Sequence, residues 1–295
     1  MHAESELIPN PFSETSACTH ETELLARAKT GDRDQLELLL KPHLPWLFNL
    51  SLRMLHRRAD AEDATQEILL KVIRALPGFR REAKFSTWLY RIAVNHLLNV
   101  KKPKWAASDA ICSFAIASTG LRQVPDLDPP DPSTVPVPVE ILIEETGTNC
   151  MIGTLLCLDG RQRLVFILGE IFEVSDEVGA EIVEVTPANF RQILSRARRD
   201  LYEYLRDNCG LVNPPNDCKC ARKSRAFIQA GFVDPKKLEF TQAHVRKIRE
   251  AAAHRSKEQL DVYMEIAASV YRGHPFYEPA EQAEMLRRAL PSLTV

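Results

Sequence analysis

The first part of the chain carries apolar side chains that recur every three or four positions, the spacing of helices with one buried face. Gly31 interrupts this pattern once, and Pro77-Gly78 stops it again further along. No segment alternates apolar and polar residues as a half-buried strand does. The pattern therefore predicts an all-α protein. The apolar stripes occupy residues 24–40, 46–55, 68–76 and 85–97, in a helical bundle over 21–104 that follows a flexible tail over 1–20.

A proline-rich, acidic stretch separates this bundle from a second helical region. Between Val124 and Pro138, six of the fifteen residues are proline and three are aspartate. Because proline cannot continue a helix and carboxylates favour water, we expect an extended, solvated linker there. Far beyond it, apolar stripes at about 241–271 and 278–290 indicate further packed helices. The predicted domains after the bundle are a linker (105–138), a second helical domain (139–208) and a helical C-terminal extension (209–295).

Two segments of the second domain have the pattern of a helix–turn–helix. Ser175 can cap the first helix, and Thr186-Pro187 is a favourable start for the second. Ala180 is small at the point where the two helices would cross. The second helix has an apolar face and an opposite face rich in Arg, Asn and Gln, which suits the major groove. The residues of that polar face are Asn189, Arg191, Gln192, Ser195, Arg196, Arg198 and Arg199. The alternative is an Arg-rich surface helix that does not bind DNA.

The charges are unevenly distributed, although the formal net charge is only -2. Residues 67–104 contain nine Lys or Arg and two acids, whereas residues 105–160 contain one Arg and eight acids. Cations interleaved with aromatic rings suit single-stranded DNA, whose bases stack on the rings. The aromatic residues are Phe85, Trp88 and Tyr90, of which Phe85 and Trp88 also fit a buried stripe. We therefore expect the DNA-binding surface in the loop 78–84, which contains Arg80, Arg81 and Lys84.

The composition excludes several other classes of protein. No run approaches the ~18 apolar residues of a membrane helix, and the start lacks the basic and apolar regions of a signal peptide. Seven scattered cysteines, an odd number, argue against a disulfide framework and for a reducing cytoplasm. We find no phosphate loop, nucleophile elbow or metal-ligand spacing of histidines. We therefore expect a cytoplasmic protein that is not an enzyme and has no cofactor or metal.

Three cysteines, Cys209, Cys218 and Cys220, are close together in the sequence and have basic neighbours. Zinc sites usually pair two Cys-x-x-Cys or His elements, which the one-residue spacing of Cys218 and Cys220 does not match. Metal binding and redox sensing remain open alternatives to an unspecialised role for these thiols.

Both helical domains resemble one family. Residues 60–67 (Asp-Ala-Glu-Asp-Ala-Thr-Gln-Glu) and 85–95 (Phe-Ser-Thr-Trp-Leu-Tyr-Arg-Ile-Ala-Val-Asn) look like region two of extracytoplasmic-function (ECF) RNA polymerase sigma factors. The resemblance to region four lies in residues 162–166, 174–182 and 190–198. The two matches occur in the family's order and are separated by the linker, so together they are more specific than either alone.

The resemblance implies a dissociable factor that joins the RNA polymerase core, reads the minus-ten and minus-thirty-five promoter elements and assists promoter melting. Contacts to the clamp helices of the largest subunit would come from Asp60, Glu62, Asp63, Gln66 and Glu67. The minus-ten region would meet Arg80, Arg81, Lys84, Arg91, Asn95, Asn99, Lys101 and Lys102. The polar face of the second helix would read the minus-thirty-five element. The polymerase flap and an anti-sigma factor are further partners that the resemblance implies, and the acidic linker would follow the RNA exit path.

Three features depart from the family pattern. Glu184 stands where a turn glycine is frequent, and a left-handed conformation there costs ~1–2 kcal/mol. Ile193 occupies a frequently basic position of the second helix. The extension after Asp207 is absent from minimal members.

Two other functions remain open from the sequence. One is a helix–turn–helix regulator that acts without polymerase core, and the other is a protein-interaction module in which the extension is the functional part. The region-two resemblance favours the sigma factor, because an ordinary repressor needs no helix for the polymerase clamp. The acidic run 60–67 also fits a solvated helix start.

Overall fold

The computed structural model describes Phe12 and residues 19–100 and 125–238 of the chain. In these parts the backbone is almost entirely helical, and the predicted all-α class is confirmed. The α-helices are α1 (Thr19–Lys29), α2 (Arg33–Leu40), α3 (Leu44–Leu55), α4 (Arg58–Ala75), α5 (Phe85–Asn99), α6 (Val139–Thr154), α7 (Gly160–Phe166), α8 (Asp176–Val183), α9 (Pro187–Asn208) and α10 (Cys220–Gln229). Short 3-10 helices lie at Lys41–His43, Leu76–Gly78, Pro132–Thr134 and Leu155–Cys157, and a π-helix lies at Ile167–Ile171. Across the described ranges, β pairing is limited to an isolated bridge between Cys209 and Cys218.

The described residues form two compact units. The first contains those up to 100 together with 174–190, and the second contains 125–173 and 191–238. The domain boundaries drawn from the sequence stay predictions. The helices predicted near 241–271 and 278–290, and all of the predicted N-terminal tail except Phe12 and the start of α1, lie outside the described residues.

The core of the first unit is built on α3, which is buried along its whole length. Leu47 on this helix and Ile68 on α4 are fully buried, as the apolar stripes predicted. Arg53 is also buried, at 1% exposure, and its Nη1 donates to both the backbone and the side-chain oxygen of Asn49, at 3.1 and 2.8 Å. Burial lowers the pKa of Arg53 to about 9, because an apolar surrounding disfavours the charged form.

The second unit contains a buried arginine that organises a turn. Asp159 begins α7 with a capping box that includes Gln162. Arg163, one turn into α7, donates to three main-chain carbonyls at the end of α6 and just after it. The acceptors are Leu155 at 2.9 Å, Leu156 at 3.1 Å and Leu158 at 3.0 Å. Carbonyls at a helix end have few main-chain donors, so the guanidinium supplies donors to these oxygens and holds α7 against that turn.

The start of the extension packs more closely than the sequence indicated. Residues 213–216 are irregular, and they are followed by α10, which was not predicted. Leu142 of α6 forms a buried cluster with Phe227 and Val233. No helix in the described parts is both long and apolar enough to cross a membrane.

Candidate nucleic-acid interface

The helix–turn–helix predicted from the sequence is formed by α8 and α9. Ser175 Oγ accepts from the Val178 backbone N–H, and Thr186 Oγ1 accepts from the Asn189 N–H at 3.2 Å, so both predicted caps are confirmed. The two helices cross where Gly179 meets the ring of Phe190. A Cβ on Gly179 would lie 2.5 Å from Cζ of that ring. The close crossing thus depends on Gly179, next to the Ala180 that the sequence pattern indicated.

The glycine at the crossing was missed by sequence reasoning, although a signal was present. Gly179 lies inside α8, where glycine lowers helix stability by ~1 kcal/mol relative to alanine. A glycine inside a helix often marks a close packing contact. Here the benefit is contact with Phe190, which is fully buried.

The exposed face of α9 matches the predicted recognition surface for most of its residues. Six of the seven predicted residues are exposed: Asn189, Arg191, Gln192, Ser195, Arg196 and Arg199. Arg199 also pairs with the neighbouring Asp200 at 2.9 Å. Ile193 is buried at 7% exposure, so it belongs to the apolar back of the helix. A base contact at that position is therefore not available in this conformation.

Arg198, the seventh predicted residue, has a different environment. Its Nε donates to Glu170, whose side chain is only 1% exposed, whereas that of Arg198 is 38% exposed. Burying a carboxylate is costly unless it is paired, so this ion pair ties the π-helix at Ile167–Ile171 to α9. The contact supports a structural role for Arg198 beside the predicted DNA contact.

The turn between α8 and α9 carries the first departure from the family pattern. Glu184 adopts the left-handed conformation, with φ 58° and ψ 50°. Its Oε1 accepts from Nη2 of Arg91, a predicted minus-ten contact on α5, at 2.6 Å. Both side chains are part exposed, at 39% for Arg91 and 52% for Glu184. The residue that replaces a turn glycine is therefore also the partner of a predicted DNA-binding arginine.

The loop before α5 presents the cations that the sequence placed there. Arg80 and Lys84 are exposed. Arg81 has a positive φ of 60°, and its Nη2 donates to the Thr22 carbonyl of α1 at 3.0 Å. Lys29 donates to the Phe79 carbonyl at 2.8 Å. Helix α1 therefore holds the loop at two points, and neither contact was predicted.

The aromatic residues near this loop are mainly core. Phe85 is 1% exposed, which confirms the buried-stripe alternative for this residue, and Tyr90 is 0% exposed. Neither ring can stack on unpaired bases in this conformation. Burial also raises the pKa of Tyr90 well above its usual value. Trp88 is half-buried, and its ring lies 4.9 Å from that of Phe79 and 5.8 Å from that of Phe85.

The remaining minus-ten candidates lie at the end of α5. Asn95 and Asn99 are exposed, and Asn99 Nδ2 donates to the Asn95 carbonyl at 2.6 Å. Lys101 and Lys102 lie outside the described residues. The asparagines are therefore placed on one surface next to Arg91.

The acidic run opens α4, with its carboxylates at different degrees of exposure. Asp63 and Glu67 are exposed, whereas Asp60 and Gln66 are half-buried. Glu62 pairs with Arg58 at 3.0 Å, one turn earlier in the helix. Asp63 and Glu67 are thus the two carboxylates most open to a partner.

Glu67 also neighbours a histidine that sequence reasoning missed. Its Oε2 lies 3.6 Å from Nε2 of His96 on α5, and Nζ of Lys71 lies 2.7 Å from Nδ1 of the same ring. Burial and the Lys71 charge lower the pKa of His96, and Glu67 partly opposes them. The Lys71 ammonium has only donors, so Nδ1 accepts from it and the ring is neutral in this arrangement.

The cysteines converge although no metal arrangement is present among the described residues. Cys150 and Cys209 line a cavity of about 520 Å³ together with Cys218. Burial raises the pKa of all three thiols, which favours the protonated and less reactive form. Cys220 lies near Gly147 of α6, at 3.4 Å from the position of a Cβ on that glycine. Sequence spacing alone did not indicate that Cys150 joins this group.

Comparisons with known proteins identify a matching family model and several relatives. The Sigma-70 region 2 family model matches residues 39–106, which include α3, α4 and α5. The chain is 27% identical over 179 residues to the RNA polymerase sigma-H factor of Pseudomonas aeruginosa, covering 60% of this chain and 89% of that protein. It is 29% identical over 185 residues to the ECF RNA polymerase sigma factor SigW of Bacillus subtilis, covering 62% and 95%.

A third relative and a solved structure complete the comparison. The RNA polymerase sigma factor YlaC of Bacillus subtilis is 30% identical over 171 residues, which are 57% of this chain and 91% of that protein. The structure of CnrH in complex with the cytosolic domain of CnrY is 19% identical, with a TM-score of 0.45, and the match covers 63% of this chain and 97% of CnrH. The family model and the near full-length relatives show that this chain belongs to the ECF family of RNA polymerase sigma factors.

Proposed function

We propose that this sigma factor binds the polymerase core through the start of α4 and reads promoter DNA through three surfaces. These are the loop 78–84, the exposed end of α5 and the polar face of α9. The observation that carries the proposal is the division of α9 into two faces. Its apolar face, with Phe190 and Ile193, is buried, and its opposite face exposes arginine and amide side chains. A recognition helix in the major groove requires this division.

The polymerase contact is assigned to α4 because of charge. Asp63 and Glu67 are exposed one turn apart on the same face. Carboxylates are repelled by DNA phosphates, so this surface suits a cationic protein partner. The resemblance to ECF sigma factors implies that this partner is the pair of clamp helices of the largest polymerase subunit. The flap of the polymerase would receive the helix–turn–helix unit.

The minus-ten contacts are assigned to the loop and to α5. Arg80 and Lys84 provide exposed cations for the backbone of the melted strand. Asn95 and Asn99 provide donors and acceptors for an unpaired base. An anti-sigma factor remains a proposed partner, and action on the polymerase places the protein in the cytoplasm.

A core-binding measurement tests the central assignment. Asp63→Lys replaces an exposed carboxylate by a cation and should weaken core affinity at least about fivefold, since like charges that face each other across an interface cost more than ~1 kcal/mol. The matched control is Asp34→Lys, the same change at an exposed position of α2. Equal core affinities for the two variants would remove α4 as the polymerase-binding surface.

A transcription measurement separates this function from that of a regulator acting alone. The purified protein added to polymerase core should start transcription at specific promoters. If it binds such promoters but never associates with the core, the protein acts as an independent helix–turn–helix regulator, and the proposal is wrong.

A further inference from the structure

The described part of the acidic linker, residues 125–138, is held by the extension through an ion pair. Asp126 Oδ1 lies 3.0 Å from Nζ of Lys223 on α10. The Lys223 side chain is only 7% exposed, whereas that of Asp126 is 47% exposed. An ammonium group taken out of water needs compensating partners, so the linker carboxylate stabilises a lysine that the fold has buried.

A main-chain hydrogen bond lies directly beside this ion pair. The Leu127 N–H donates to the Arg222 carbonyl at 3.0 Å. Consecutive linker residues therefore contact consecutive residues of α10, one through a side chain and the other through the backbone. The backbone contact fixes the register of the linker on the helix, which a lone surface ion pair does not do.

Apolar contacts hold the other end of the linker. Val135 and Val137 pack against the cluster that contains Phe227 and Val233 of the extension and Leu142 of α6. A turn capped by the Asp131 carboxylate separates the two attachment points. The linker, expected from its composition to be extended and solvated, is thus attached at both ends of its described part.

The extension itself is fixed to α6. Asn149 Nδ2 donates to the Phe232 carbonyl at 2.7 Å, beyond the end of α10. Residues 220–233 therefore form a platform with a fixed position on α6. Its surface combines a cation with an apolar cluster, and the linker supplies an anion and two valines at the matching places.

We propose that this platform is a docking surface for the linker and that polymerase core competes with it for the same segment. The competition rests on the proposed function, in which the core is the partner of this chain, and on the family resemblance, which implies that the acidic linker follows the RNA exit path of the core. A linker that leaves the platform gives up the ion pair, the backbone bond and the valine contacts. The chain with a docked linker therefore binds the core more weakly than a chain with a free linker would, and the difference is the free energy needed to release the linker.

Hydrogen exchange on the full-length free protein tests docking without polymerase. Asp126→Asn removes the ion pair, and the matched control, Asp128→Asn, removes the same charge from an exposed linker position. The Leu127 amide should exchange about 3–10-fold faster in Asp126→Asn and at the wild-type rate in Asp128→Asn, because an opened linker loses its acceptor. Equal exchange in the two variants would overturn docking through this pair.

A second variant tests the apolar contact at the other end of the linker. Val137→Asp places a carboxylate against the apolar cluster and should release the other end of the linker, seen as faster exchange over residues 133–137. Thermal melting of each variant shows that the rest of the protein stays folded. Unchanged exchange in Val137→Asp would also count against docking.

Core titration tests the competition. Asp126→Asn should bind core about 3–10-fold more tightly than Asp128→Asn. Both variants lose one linker charge, so any general effect of that charge on core affinity is the same in the two. If exchange differs but core affinity does not, the competition is wrong while the proposed function stands. If the wild-type chain does not bind core at all, the proposed function fails, and the exchange result alone still decides docking.

Discussion

Arg91 Nη2 lies 2.6 Å from Glu184 Oε1, so a predicted DNA-binding cation on α5 is neutralised by the turn residue of the helix–turn–helix. Both side chains are more than a third exposed, and exposed pairs are worth ~0.2–1 kcal/mol. Glu184→Gln should therefore raise the affinity of the free protein for minus-ten DNA by about 1.5- to 5-fold at low salt. Fluorescence anisotropy with labelled single-stranded DNA measures this gain.

Two further proteins complete that experiment. Glu181→Gln removes the same charge from α8 but leaves the pair intact, and it should change affinity less. Adding Arg91→Ala to Glu184→Gln should abolish the gain. A gain that persists without Arg91 would mean that Glu184 acts by general repulsion of DNA.

The arginines of α9 should separate into two groups by the effect of alanine substitution. Arg191→Ala and Arg196→Ala should leave the fold intact. A contact to a base would cost ~1–3 kcal/mol of promoter discrimination, and a contact to phosphate would weaken all sequences alike. A minus-thirty-five promoter library distinguishes the two results, and transcription unchanged by either variant would remove α9 as the reader.

Arg198→Ala should act on stability instead. It takes away the guanidinium that faces the buried Glu170 carboxylate, and we expect a loss of about 1–3 kcal/mol, less than for a fully buried pair because Arg198 is part exposed. Chemical denaturation measures the free energy of unfolding, with Arg199→Ala as the exposed control. Equal stability of the two variants would contradict a structural role for Arg198.

Gly179→Ala should destabilise the helix–turn–helix. The added methyl would lie 2.5 Å from the Phe190 ring, and overpacking costs ~1–3 kcal/mol, partly offset by the higher helix propensity of alanine. We expect a net loss of about 1–2 kcal/mol with reduced minus-thirty-five binding. Glu177→Ala, at an exposed position of the same helix, is the control for thermal melting. A melting temperature as high as that of the control would show that the crossing is loose.

His43 should make the fold sensitive to acid. Burial lowers its pKa from 6.5 to about 4, and its buried Nδ1 has no hydrogen-bond partner among the residues that the structure describes. As the pH falls below 6.5, His43 becomes protonated in the unfolded chain but stays neutral in the folded chain. The free energy of unfolding therefore falls until about pH 4. At 1.36 kcal/mol per pKa unit, the free energy of unfolding decreases by about 3 kcal/mol over this range.

The His43→Phe variant tests this linkage. It keeps a ring beside Phe85 and Tyr90, which lie 5.6 and 6.2 Å from the histidine ring, and cannot take up a proton. Its free energy of unfolding should vary less between pH 6.5 and 4 than that of the wild type. Parallel curves for the two proteins would assign the acid sensitivity to other groups.

Local features of the fold were predictable because they depend on neighbouring residues. The caps at Ser175 and Thr186 and the apolar stripe of α9 follow from spacing alone. The contact of Arg198 with Glu170 joins residues 28 positions apart, and that of Arg91 with Glu184 joins residues 93 apart. No periodicity within one helix indicates such pairs, since they depend on how the helices pack.

The contacts of the linker could not be predicted from the sequence for the same reason. Within residues 125–138 its prolines correctly predicted the absence of a long helix, but its aspartates were all interpreted as solvated. Lys223 follows Asp126 by nearly a hundred residues and becomes its neighbour only when α10 packs on α6. Likewise, only packing shows that Tyr90 is core, whereas the spacing of Phe85 already indicated a buried position as one alternative.

Arg163 has a consequence for how the chain tolerates genetic change. Its guanidinium reaches three carbonyls from one buried position, a geometry that no other side chain reproduces, because lysine ends in a single nitrogen. Codon 163 should therefore accept arginine alone in a saturation-mutagenesis library selected for transcription, whereas codon 161, two residues earlier and exposed, should accept many residues. A side chain to which no DNA or polymerase contact is assigned would then be among the least replaceable in the protein.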